Sequence, residues 1–213
     1  MRTQSVAMLG LVVICLASAS PSKADTIFTN LGPGQSFNPN GGWVIGDCCS
    51  EGPGQVFAFP FIPTQTATFT DATLALQRIS GPSPLNVEIQ TSSGGMPDAI
   101  LDTLTQTMDL SPIPSLVDFT CSTCGVLNAG TLYFLVAQQT NPLNVASWGF
   151  SNSQIDTAFF NENGSATGPW TPNTGPISAY ELHGVAIAPE PPSALLLASG
   201  LIALLAVGYK RFV

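Results

Sequence analysis

Leu85-Asn86-Val87-Glu88-Ile89-Gln90 alternates apolar and polar side chains without a break. Successive strand residues point to opposite faces, so this spacing predicts a strand with Leu85, Val87 and Ile89 inward and Asn86, Glu88 and Gln90 toward solvent. Leu74 and Leu76 repeat the pattern in the run that ends at Ile79. Thr131-Leu132-Tyr133-Phe134-Leu135-Val136-Ala137 is apolar on both faces and reads as a central strand covered on each side. Ile177 to Ile187 is a further candidate, as is Gln55 to Phe61, with Pro60 marking an edge or bend. Thr103, Thr105 and Thr107 tilt the segment 98–109 toward a strand as well.

Turn chemistry separates these runs. It falls at Gly32-Pro33-Gly34, Asn40-Gly41-Gly42, Gly81-Pro82, Gly94-Gly95, Asn128-Ala129-Gly130, Asn141-Pro142 and from Gly164 to Pro176. No amphipathic helix of any length fits between them. Nine or ten short strands in one unit predict an all-β fold, an antiparallel β-sandwich of the jelly-roll kind.

The ends read differently. Arg2, the apolar run Val6 to Ala17 and the small residues around Ser22-Lys23-Ala24 predict a secretory signal peptide over 1–24. Ile14 before Cys15 argues against a lipoprotein. From Pro191 to Tyr209 there is no charge, and Lys210-Arg211 follow, which predicts a transmembrane helix with a cytoplasmic C-terminus. The exported β domain then occupies 25–188 and the anchor segment 189–213.

Pro189-Glu190-Pro191, the apolar segment behind it and the basic pair resemble the PEP-CTERM sorting signal of Gram-negative bacteria. Ala188 and Pro192 flank the tripeptide where that family commonly has Val and then Ser or Thr. The resemblance implies export across the inner membrane, a transient membrane anchor, and processing at the tripeptide by an exosortase. It also implies an exopolysaccharide-associated surface or matrix setting. The body is similar to the exported choice-of-anchor domains, type R in particular. The stretches that carry this likeness are Asn40-Gly41-Gly42-Trp43-Val44-Ile45-Gly46, Gln55 to Phe61 and Ser93 to Leu101. That family implies architecture and address, and no activity.

Only 8% of the chain is charged, against about 25% in an average soluble domain. Twelve of the thirteen acids fall in 25–188 and Arg78 is the only base there, a net charge of −11. Such a body excludes nucleic acid as a partner and disfavours acidic polysaccharide. No Asp-x-Asp-x-Asp-Gly loop concentrates the acids into a calcium site, so no metal or cofactor is expected.

Cys48, Cys49, Cys121 and Cys124 are an even set in an exported domain, which predicts disulfides. A bond between neighbouring residues strains its peptide, so two long-range bridges joining the segments are expected, with the partners unassigned. Zinc is the rival reading, weakened by the missing spacer between Cys48 and Cys49. Cys121-Ser122-Thr123-Cys124 lacks the βαβ setting of a redox motif.

His183 is the only histidine, and no Gly-x-Ser-x-Gly elbow accompanies it. It reads as an ordinary strand side chain facing water or one partner. Glu51, Glu88, Glu162 and Glu181 are the glutamates that paired-carboxylate glycoside chemistry could use. Glu88 and Glu181 alternate with apolar neighbours and are expected at the surface. The sequence therefore predicts a non-catalytic protein, with a glycan-processing enzyme as the alternative. Trp170, in Gly168-Pro169-Trp170-Thr171-Pro172, is the candidate platform for a sugar ring. Trp43 and Trp148 lie in strand-like runs and suit packing better. Asn163-Gly164-Ser165 matches a glycosylation sequon by chance.

Overall fold

The computed structural model describes residues 24–47, 54–81, 84–121, 123–141 and 143–187, with Ser153 described in backbone only. The segments expected to be signal peptide and anchor, and Cys48, Cys49 and Glu51, lie outside the described residues. Among those described there are twelve strands and no helix. They are β1 (Asp25–Thr29), β2 (Asn38–Ile45), β3 (Val56–Phe61), β4 (Ala67–Ser80), β5 (Leu85–Ser93), β6 (Met96–Gln106), β7 (Ser115–Thr120), β8 (Val126–Leu127), β9 (Tyr133–Gln139), β10 (Val145–Asn161), β11 (Thr171–Ser178) and β12 (Tyr180–Ala186). Every pairing between them is antiparallel.

The strand order is β1-β12-β4-β7-β6-β5-β9-β3-β10-β11, and β10 also pairs with β4 and β2. The ladder from β4 through β7, β6, β5, β9 and β3 to β10 therefore returns to β4. Two places in this circuit are thin. β6 and β7 share only the pairs Thr105–Thr120 and Gln106–Phe119. β10 changes partners: Val145 to Trp148 pair with β4, whereas Phe159 to Asn161 pair with β3. Its register against β11 shifts between Phe150 and Ile155, the irregularity at which a strand bends out of one ladder into another.

The two-sided character of 131–137 is borne out in β9. Tyr133, Leu135 and Ala137 enter the main core, while Phe134 and Val136 enter a second, smaller cluster on the opposite face. Neighbouring β3 divides the same way, with Phe57, Phe59 and Phe61 in the main core and Val56 and Ala58 in the second. Pro60 is tolerated because β10 pairs only as far as Ala58, which leaves that half of β3 a local edge.

Two turn expectations are corrected. Asn40-Gly41-Gly42 lies inside β2, where the glycines let backbone approach closely. A Cβ on Gly41 would press into the Phe150 ring, and one on Gly42 into the Trp148 carbonyl. The latter half of Gly164–Pro176 is β11, held in register along β10 from Thr171 to Pro176. Pro172 and Pro176 fit there because β11 ends the strand order and needs donors on one side only.

Tyr180 is fully buried, and its hydroxyl donates to the Pro60 carbonyl at 2.9 Å. Burial first, and the Asp156 carboxylate second, hold its phenol well above the usual range. A raised folded pKa stabilises the fold fully below the unfolded value of about 10 and loses that contribution as pH rises toward the folded value. Urea midpoints are therefore expected to stay level to about pH 9.5 and to fall above about pH 10. Tyr180→Phe should flatten that fall; an unchanged alkaline slope in the variant would place its origin elsewhere.

Candidate functional site

The cysteine expectation is corrected first. Cys121 is bonded to Cys124, with the two Cα atoms 5.5 Å apart, so neither reaches across the chain to Cys48 or Cys49. The cause is local: Cys121 directly follows β7, and the loop before β8 turns back at Cys124, with both side chains packed against the main core. By loop-closure entropy a four-residue ring contributes about 2 kcal/mol, where a ring of about 70 residues would contribute about 4. The bridge also removes both sulfurs as thiolate ligands. Among the described residues no three His, Cys, Asp or Glu side chains are placed to hold a metal ion.

His183 has two partners rather than one. β12 lies between β1 and β4, and His183 stands directly opposite Asp71 of β4. Its Nδ1 is 2.7 Å from Asp71 Oδ1, and its Nε2 is 3.2 Å from Glu181 Oε1, two residues along the same face. Thr26 of β1 donates to the same Glu181 oxygen at 2.6 Å, and Thr70 donates to Asp71 at 2.7 Å. The imidazole thus bridges two carboxylates, and the Thr26 hydroxyl is turned to Glu181 rather than to His183. The arrangement ties three strands together and presents no hydroxyl nucleophile to the ring.

Glu88 is a second correction. It is buried, as is Glu181, and both expectations of a solvent-facing side chain fail. Glu181 is flanked by the Thr26 hydroxyl of β1 and the His183 ring, both bonded to its Oε1. For Glu88 the cover is the segment between β10 and β11, which folds over the outer face of β5 and β9. Ala166 of that segment donates its N–H to Gln138 Oε1 at 3.1 Å, and its carbonyl accepts from Gln90 Nε2 at 2.9 Å. The carboxylate beneath accepts from Asn86 at 2.6 Å, Gln90 at 3.0 Å and Gln138 at 3.4 Å. These donors are all neutral amides. The polar face of β5 carries carboxamides around a single acid, a pattern that suits a roofed face as well as a wet one.

Trp170 closes the same segment. It is half-buried and packs against the second cluster, beside Val56, Ala58, Phe134 and Phe159. Its flanking residues Pro169 and Thr171 line an open cleft of about 360 Å³, together with Phe160, Asn161, Glu162 and Asn163. Glu162 is exposed there, apart from Glu88. Trp43 is half-buried, its indole N–H donating to the Pro176 carbonyl at 2.8 Å and its ring stacked on Phe57. Trp148 is in the core, as its strand-like context suggests. The candidate sorting residues Pro189, Glu190 and Pro191 and the basic pair Lys210 and Arg211 lie outside the described residues.

Sequence reasoning missed the clefts at the β10 bend. One is lined by Asn38, Phe150, Asn152, Gln154 and Ile155, the other by Phe28, Pro60, Ile62, Leu132 and Asp156, and Gln154 belongs to both. The signal available was Ser151-Asn152-Ser153-Gln154-Ile155-Asp156, a polar stretch without strand periodicity inside a long strand. No protein-family model matches this chain, and no curated protein matches it in sequence.

Proposed function

We propose that the protein is a non-catalytic exported surface or extracellular-matrix protein, sorted by an exosortase and associated with exopolysaccharide. The observation that carries this reading is the pairing of β1 with β12. Asp25, where the mature chain is expected to begin, stands opposite Gly184, three residues short of the end of the described body. The two ends of the described body, Ala24 and Ile187, thus lie near one another, at one pole. A body tethered at one pole and facing outward is what an anchored, later released surface domain requires. The thin β6–β7 junction and the bend of β10 support a β-sandwich closed at two corners.

The test is immunoblotting of cell fractions. The wild-type protein is expected as a shortened species at the cell surface or in the medium, and Glu190→Ala as a full-length species retained at the inner membrane. A wild-type protein that stays full-length in the inner membrane, unaltered by Glu190→Ala, removes the sorting reading.

Within this role, Trp170 and the adjoining cleft offer a weak contact for a neutral glycan. Only part of the indole is free, and a single stacking platform offsets little ordering entropy. Hydrolysis of any glycan by the purified protein would favour the glycan-processing alternative instead.

A further inference from the structure

We infer that the bend of β10 forms a second and principal glycan subsite, which takes an uncharged oligosaccharide segment across Gln154. The inference rests on the exopolysaccharide reading above and gives it a chemical class and a place.

The site exists because β10 leaves its pairing with β2 at Phe150 and resumes a regular register with β11 only at Ile155. The clefts on the two sides of that gap measure about 240 and 180 Å³. Pockets for drug-sized ligands measure about 300–1,000 Å³, so each of these smaller clefts suits one ring-sized group and the pair suits two linked ones. Gln154 stands between them, half-buried, and its carboxamide makes no hydrogen bond to any described residue. A partly exposed amide with both its donor and its acceptor free of protein partners can offer both to a ligand hydroxyl.

The lining selects the chemistry. In the first cleft Asn38, Asn152 and Gln154 supply carboxamides, each both donor and acceptor, as sugar hydroxyls are. Asn38 already accepts from the Asn40 N–H through Oδ1, and Asn152 donates through Nδ2 to Ser36, which leaves an amide donor on one and an acceptor on the other. Phe150 and Ile155, the latter 72% exposed, give the apolar surface that the C–H face of a pyranose needs. In the second cleft Phe28, Ile62 and Leu132 dominate, with Asp156 the one charge, so the second unit carries an apolar substituent such as an acetyl or methyl group. Asp156 and the −11 body repel uronic acids.

The test uses the full-length protein in detergent on an array of neutral, acetylated and uronic-acid oligosaccharides. Retention of neutral or acetylated glycans over uronic ones is expected. Gln154→Ala should weaken that binding about three- to tenfold, the effect of losing one or two hydrogen bonds, with an unchanged near-ultraviolet circular dichroism spectrum. Ile62→Glu, at an exposed position of the second cleft, should abolish binding of the acetylated set. Trp170→Ala should change affinity by less than about twofold. Binding that survives Gln154→Ala and Ile62→Glu but fails in Trp170→Ala overturns this site and leaves the exopolysaccharide reading standing. Preference for uronic glycans, or no retention of any neutral glycan, overturns the inference outright.

Discussion

Trp148→Ala is expected to lower the unfolding free energy by about 3–5 kcal/mol, the usual cost of truncating a fully buried aromatic side chain. Trp148 is wholly inaccessible to solvent. Its ring meets the edge of Phe59 at 4.8 Å and 84° and tilts against Tyr180 at 5.8 Å. The indole N–H donates to the Ala179 carbonyl at 3.0 Å, where the chain passes from β11 to β12. The alanine variant therefore opens a cavity and removes one of the two donors to the Ala179 carbonyl, which keeps the Ala75 N–H at 3.1 Å. Trp148 also sits where β10 is paired on both sides, opposite Trp43 of β2 and Leu76 of β4. Single domains are stable by about 5–15 kcal/mol, so this one change leaves little margin. Trp148→Phe keeps most of the volume and loses the donor, and should cost about half as much. Urea denaturation followed by circular dichroism decides it, and a loss below about 1 kcal/mol for the alanine variant would contradict the packing described.

Where the chain is strictly periodic, the sequence is legible. Leu85 to Gln90 forms a strand on the expected face, and 131–137 forms a strand buried on both faces, because alternation and its absence each have a direct geometric meaning. β10 was legible around Trp148 but not beyond Phe150. Its polar middle carries no period and falls in the gap of its register with β11, between the paired positions Phe150 and Ile155. The start of β2 was hidden for the opposite reason: the glycines before Trp43 signal a turn, yet they serve close contact with Phe150 and Trp148.

The same limit explains Glu88 and Glu181. Period two tells which residues share a face, and it does not tell what covers that face. Glu88 is roofed by Ala166, 78 positions away in the sequence, and Glu181 is bonded by Thr26, on a strand from the far end of the domain. The disulfide followed another rule than the one applied. Avoiding strain between neighbouring cysteines favours long-range bonds, whereas a turn just after β7 brings Cys124 to Cys121 first. Trp170 was legible as a loop residue but not as the residue that packs its loop onto the second cluster.

Gly81→Ala is the second large effect, expected at about 3 kcal/mol or more, from a left-handed backbone cost of about 1–2 and an overpacking cost of about 1–3 kcal/mol. Gly81 follows β4 with φ of +76°, and a Cβ there would run into the backbone carbonyl of Leu143. From a different segment Gly46, with φ of +105°, faces the backbone carbonyl of Asn144 in the same way. The turn at 143–144 is thus flanked by two glycines, and Asn144 fixes it further, donating through Nδ2 to the Pro84 carbonyl at 3.0 Å. No flexible side-chain end can yield to the new methyl, because the obstacle is main chain. Gly94 and Gly130 provide the control. Their φ values are +60° and +73°, and nothing lies within 4 Å of a Cβ at either. Alanine at those positions meets only the backbone cost, about 1–2 kcal/mol. Urea midpoints of Gly81→Ala and Gly94→Ala, measured side by side, separate the two contributions. Equal losses would mean that the turn before β10 is not clasped, and the start of the strand that builds both the core and the Gln154 clefts would then need another support.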